Sequence, residues 1–167
     1  MATWVLTVLG LDKPGLVDSL SGAIYDHGGN WERSQMARLS GRFAGIVEVS
    51  VADEHAPDLR AALEALPLHL TIDDTGAAPA LSGRRFVLHM MGTDRLGLVH
   101  SVAGALAAVG ASIDELETET RSAPMSGDVL FDARATVVLP AGTDIEAVRA
   151  ELEVLADRLM VDIELND

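Results

Sequence analysis

No cysteine occurs among the 167 residues. Disulfides, thiol catalysis and thiolate metal sites are therefore excluded, which fits the cytoplasm without ruling out export. Basic residues are also scarce, 12 against 26 acidic, for a formal charge of −14. The deficit is general, −6 up to Thr75 and −8 beyond it. Nucleic-acid binding needs Lys and Arg to neutralise phosphates, and no basic stripe supplies them, so direct contact with DNA or RNA is not expected. No apolar run approaches the roughly 18 residues that span a bilayer. The start, Met1-Ala2-Thr3-Trp4-Val5-Leu6, lacks the basic region of a signal peptide. The expectation is a soluble cytoplasmic protein with no membrane partner.

Chemistry-bearing motifs are missing as well. There is no nucleophile elbow, phosphate-binding glycine loop, Ser–His–Asp order or zinc signature. The five histidines, His27, His55, His69, His89 and His100, show no ligand spacing such as i, i+4. His89 falls on a presumed core strand and reads as a structural histidine. A non-catalytic chain with no cofactor and no metal is expected.

What the chain does contain is a repeat. Gly10-Leu11-Asp12-Lys13-Pro14-Gly15-Leu16-Val17 returns 82 positions later as Gly92-Thr93-Asp94-Arg95-Leu96-Gly97-Leu98-Val99. Each copy follows an apolar run and opens a helical pattern, so a strand runs into a tight turn that feeds a helix. Self-similarity at a fixed offset signals duplicated units. Hydrophobic residues make up 49% of the chain, ample for two cores.

The first unit reads as a strand over 3–9, a helix with Val17, Leu20 and Ile24 at helical spacing, and a glycine stop at Gly28. Strands over 30–39 and 43–51 follow, joined by a Ser40-Gly41 hairpin turn. A helix opened by Pro57 carries Leu59, Leu63 and Leu66, and a strand over 68–73 closes the unit. The second unit repeats the order with strands over 86–91, up to Thr120, 129–139 and 160–165. Its helices carry Val99, Val102, Ala103, Leu106 and Val109, then Ile145, Val148, Leu152, Leu155 and Leu159. Ser122 to Gly127 makes a hairpin connection about four residues longer than Ser40-Gly41. The expected fold class is α+β. Two ferredoxin-like βαββαβ repeats each form a four-stranded antiparallel sheet with two helices on one face. The expected domains are 1–75 and 85–167, with a linker of small residues over 76–84. The second strand of each unit is expected at a sheet edge, inviting side-by-side pairing.

The two turns are the candidate sites. Helix N-termini present amide N–H groups without intrahelical partners and with partial positive charge, which suits a carboxylate. Asp12 and Asp94 could meet an ammonium group, and Lys13 or Arg95 could assist with the carboxylate. Equally, the aspartates could simply be helix N-caps, with Pro14 just inside the first turn. Asn30 and Ser112 open the second strands and could lie beside the turns, as ligand contacts or as ordinary turn residues. The run Asp114-Glu115-Leu116-Glu117-Thr118-Glu119 puts alternate carboxylates on one face of a strand, either solvated or facing a basic partner.

The pattern strand-Gly-x-Asp-Lys/Arg-x-Gly-Leu-Val, then a helix, then Gly28-Gly29-Asn30, resembles the ACT domain, a small βαββαβ regulatory module that binds amino acids. The resemblance covers the chain twice. The second copy departs from it at Leu96, where proline is missing, and at Ser112 in place of asparagine. Two such units without a catalytic domain resemble the glycine cleavage system transcriptional repressor family, with support from Asn30-Trp31-Glu32-Arg33-Ser34, Met36 to Gly41 and Ile113 to Leu116. The resemblance implies a small amino acid such as glycine as ligand, bound between ACT units. Its contacts would be Leu11, Asp12, Lys13, Pro14, Gly15, Leu16 and Asn30, with Thr93, Asp94, Arg95, Leu96, Gly97, Leu98 and Ser112 in the second copy. It also implies a homodimer, and a transcription activator as protein partner in place of DNA. The alternatives are a ligand-free interaction scaffold, with the turns as caps only, and a regulatory subunit of an amino-acid metabolic enzyme.

Overall fold

The computed structural model describes residues 1–76 and 82–167. The chain divides into two compact units, Met1–Pro79 and Ala80–Asp167. Most of the expected linker, 77–81, lies outside the described residues.

In the first unit the elements are β1 (Ala2–Leu11), α1 (Leu16–Asp26), β2 (Gly29–Leu39), β3 (Arg42–Val51), α2 (Ala56–Glu64) and β4 (His69–Asp74). The second unit has β5 (Arg84–Thr93), α3 (Leu98–Ala108), β6 (Ser112–Ser122), β7 (Val129–Leu139), α4 (Ile145–Leu159) and β8 (Val161–Asn166). Each unit is a four-stranded antiparallel sheet, ordered β2-β3-β1-β4 and β6-β7-β5-β8. β2 and β6 lie at sheet edges, as expected, and β4 and β8 form the opposite edges.

Alternation along the strands sets which face the helices cover. In β1, Trp4, Leu6 and Val8 are buried, and so are their β3 partners Val49, Val47 and the neighbouring Val51. Leu20 and Ile24 of α1 and Leu59 and Leu63 of α2 pack on that face, and Leu16 is buried at the start of α1. The buried stripe of α1 begins at Leu16, and Val17 is exposed, a one-residue rotation from the expected stripe. The helix starts one residue after Gly15, so Leu16 is the first side chain turned inward. Three such buried residues contribute about 2 kcal/mol each, which an 11-residue helix needs, since it is marginal in isolation. The second core repeats the plan with Phe86, Leu88 and Met90 against Leu98, Val102 and Leu106 of α3 and Val148, Leu152 and Leu155 of α4.

The β2–β3 hairpin closes through Ser40 and Gly41, with φ of 48° and 76°. Positive φ at both central residues gives the turn whose twist matches antiparallel strands. The second hairpin uses residues 123–128 between β6 and β7, four more than the first.

Candidate functional site

Each turn joins the end of a central strand to the first helix. Asp12 N–H donates to the Gly41 carbonyl (3.1 Å) and Asp94 N–H to the Val129 carbonyl (2.8 Å), so each turn is tied to the neighbouring hairpin. Gly15 and Gly97 are the helix N-caps, with φ of 86° and 88°. That left-handed geometry suits glycine. A Cβ at either position would meet nothing within 4 Å, so the requirement comes from the backbone, not from packing.

Neither aspartate caps its helix. Both N-caps are glycine and no side chain accepts from the first helical amides. The N-cap expectation for Asp12 therefore fails: the chain takes three more residues to turn, and Pro14 precedes the helix instead of entering it. The Asp12 carboxylate instead lies 2.8 Å from Arg38 Nε on β2. Asp94 has no such partner among the described residues. Sheet register explains the difference, since Arg38 stands opposite Phe43 and Thr120 stands opposite the matching Phe131. By contrast α4 has an Asp N-cap, Asp144, whose carboxylate accepts from Glu146 and Ala147 N–H.

The remaining turn residues divide clearly. Leu16 and Leu98 are 6% and 2% exposed, so their side chains belong to the cores and only their backbones face the turns. Leu11, Lys13, Pro14, Thr93, Arg95 and Leu96 are exposed. Lys13 is the only lysine of the chain.

Asn30 and Ser112 are not beside the turns. Asn30 pairs with Ser50, which pairs with Thr3 at the start of β1. The turn follows Leu11 at its other end, so about 26 Å of strand separates them at ~3.3 Å per residue. Ser112 is placed likewise, opposite Val138 and so level with Arg85. A right-handed crossover explains this: α1 returns the chain along the sheet before β2 begins. The Asn30 amide donates to Glu32 Oε1 (2.8 Å), and the Ser50 hydroxyl donates to the same oxygen (2.6 Å). These two bonds, Ser50 first, hold the Glu32 carboxyl below the usual range. Spacing alone did not reveal this cluster, because Ser50 arrives from another strand.

His89 is partnered, but on the sheet face opposite the helices. Its Nε2 lies 3.0 Å from Asp132 Oδ1, and Arg121 reaches Asp132 Oδ2 at 3.3 Å. It also borders a cavity of about 450 Å³ along β8, beside Glu153, Asp157, Asp162 and Glu164. No group of residues with metal-holding geometry occurs among the described residues. No described helix is long and apolar enough to cross a membrane.

No curated protein matches the chain. Among solved structures, a protein of unknown function from Galdieria sulphuraria is similar over 99% of this chain and 97% of its own, at 35% identity and a TM-score of 0.88. A proposed glycine cleavage system transcriptional repressor shares the fold over 99% of this chain and 96% of its own, at 18% identity and a TM-score of 0.73. The family model of the ACT domain matches residues 2–73. The first unit, matched directly, is an ACT domain, and the second is built on the same strand order, so the chain is a tandem of two ACT-like folds.

Proposed function

We propose that this ACT-domain regulatory protein is a non-catalytic cytoplasmic sensor that binds a small amino acid at its turns and passes the signal to a partner protein. The observation that carries the reading is the double absence of a side-chain cap on α1 and α3. Their first amides have no protein acceptor from a cap, and a ligand carboxylate is the group such amides suit. Asp12 and Asp94, not being caps, are available at the same turns for an ammonium group. Asp12 shares its charge with Arg38, so the second turn has the stronger claim on a cation. Asn30 and Ser112 are too far from the turns of their own units to share a ligand there. If they take part, another unit brings them, either the other unit of the chain or one of a second copy, and a homodimer is the assembly we propose.

The acidic charge supports an output through protein in place of DNA, and the fold shared with the proposed glycine cleavage repressor supports glycine or a similar amino acid as ligand. The test is a thermal-shift series with single amino acids on the native chain, Asp12→Ala and Asp94→Ala. A ligand at one hundred times its dissociation constant adds about 2.7 kcal/mol. A selective shift that is weakened in the variants supports the sensor. A flat panel, or a shift untouched by both variants, refutes this site and favours the ligand-free scaffold.

A further inference from the structure

The two sheets differ on the face turned away from their helices. In the first unit that face carries alternate residues in rows across the strands. Leu39, Arg42 and Leu11 form one row, and Ala37, Ala44 and Leu9 the next. Ile46 and Thr7 follow, then Arg33, Glu48, Val5 and Asp73. Leu9, Leu11, Leu39 and Ile46 are 42%, 62%, 78% and 48% exposed. Charge balances over these rows, Arg33 and Arg42 against Glu48 and Asp73, although the chain as a whole carries −14. In the second unit the rows matching Leu9 and Thr7 read Glu119, Asp132, Met91 and Asp162, then Glu117, Arg134, His89 and Glu164. There the acids outnumber the basic groups. One fold thus carries an exposed apolar face of no net charge in its first copy and an acidic face in its second, and a contiguous exposed apolar patch marks a contact surface.

We propose that the open face of the first sheet packs against the same face of a second copy, about a two-fold axis parallel to the strands and midway between β1 and β3. The inference supplies the contact for the homodimer proposed above and is independent of amino-acid binding at the turns. Such an axis lays β3 over the other copy's β1, and β2 over its β4, with each row meeting its own counterpart. Near the axis Ala44 then faces Leu9 of the other copy, a small residue against a large one, and Ile46 faces Thr7. At the rims Arg33, which is already paired with Glu48, faces Asp73 of the other copy. Aligned sheets pack in this manner about 10 Å apart, through interdigitating side chains. Three strands of 10 or 11 residues and one of six, ~4.8 Å apart at ~3.3 Å per residue, cover roughly 600 Å² in projection. Side-chain relief adds to that, so the face is of the order of the ~800 Å² per partner of a standard interface. A two-fold contact also brings each patch onto itself, so it favours a face without net charge. The same operation on the second unit would set Glu117 against Glu164 and Glu119 against Asp162. Because rows match rows, the other copy's Asn30 stays at the far end of the sheet from the first turn.

The test is sedimentation equilibrium on the full chain and its variants. Expected are a native dimer, association weakened roughly tenfold or more in Leu9→Glu, and no change in Met91→Glu, the matching position of the second unit. Arg33→Asp and Asp73→Arg should each weaken association, and the double variant should recover it at least in part. Within one sheet these two residues stand on opposite edges, three strand spacings or ~14 Å apart, so recovery comes only from another copy. Ile46→Cys gives the chain its only thiol, and alkylation of that thiol should slow as the dimer forms. A monomeric chain, a dimer untouched by Leu9→Glu, equal loss in Met91→Glu, a double variant no stronger than either single one, or alkylation as fast in the dimer as in the monomer overturns the proposal. Amino-acid stabilisation is measured on the same samples. If it persists while the dimer is absent or ignores these variants, only this interface is lost; if the dimer responds as expected and no amino acid stabilises, the sensor reading falls and the interface stands.

Discussion

Replacing Gly15 with alanine tests whether the turn geometry, and not packing, dictates this residue. At φ 86° the new Cβ meets no atom within 4 Å, so no clash contributes. The left-handed conformation costs an L-residue about 1–2 kcal/mol. Alanine also narrows the unfolded ensemble, which offsets about 0.4–1 kcal/mol where the native geometry is tolerated. A net loss of about 1 kcal/mol is expected, and a similar loss for Gly97→Ala, whose φ is 88° and whose surroundings are equally open. For a unit of this size, unfolding on its own, that lowers Tm by about 4–8 °C. Gly15→Asn, tolerated in the same region, should cost less than alanine. Scanning calorimetry on the three variants and the native chain reads these shifts. An unchanged or raised Tm in Gly15→Ala would refute the argument, because relaxation of the turn would then be nearly free. A loss above about 3 kcal/mol would refute it in the other direction, by showing that packing is involved after all.

The other predictions concern caps, core and protonation. Asp144→Ala should cost about 1 kcal/mol, because it removes a side-chain cap, while Asp94→Ala should leave stability nearly unchanged; denaturant midpoints of the two variants compare them. Leu20→Ala, at a fully buried site, should cost about 3–5 kcal/mol, and native-state hydrogen exchange should show the loss in the first unit. Glu32 has its folded pKa lowered, so its contribution to stability is present above the ordinary glutamate range and is lost as pH falls through the folded value. Carboxyl NMR titration should therefore find Glu32 below the other glutamates, and Ser50→Ala should move it back up.

Much of this protein could be read directly. The 82-residue repeat, the apolar alternation of Trp4, Leu6 and Val8, and the glycines at the ends of strands and helices are local patterns with local causes. They determine element order, handed crossovers and fold, because periodicity states which face of each element must be buried. The turn sequence likewise marked Gly15 and Gly97 as special positions.

What needed the tertiary structure was every relation between elements. Asp12 could be placed in its turn, but not paired with Arg38, which comes from a strand 26 positions later. Nor could Asp94 be shown to lack that partner, since strand register places Thr120 there. Asn30 seemed near the turn because a helix joins them, yet the helix carries the chain back to the opposite end of the sheet. The acidic run around Glu117 could be read as one strand face, solvated or facing a basic partner, and its strand as an edge, but not which residues of β7 stand opposite it. Local sequence sets the conformation of each segment, while register and layer order decide which side chains meet, and those depend on residues far apart in the chain.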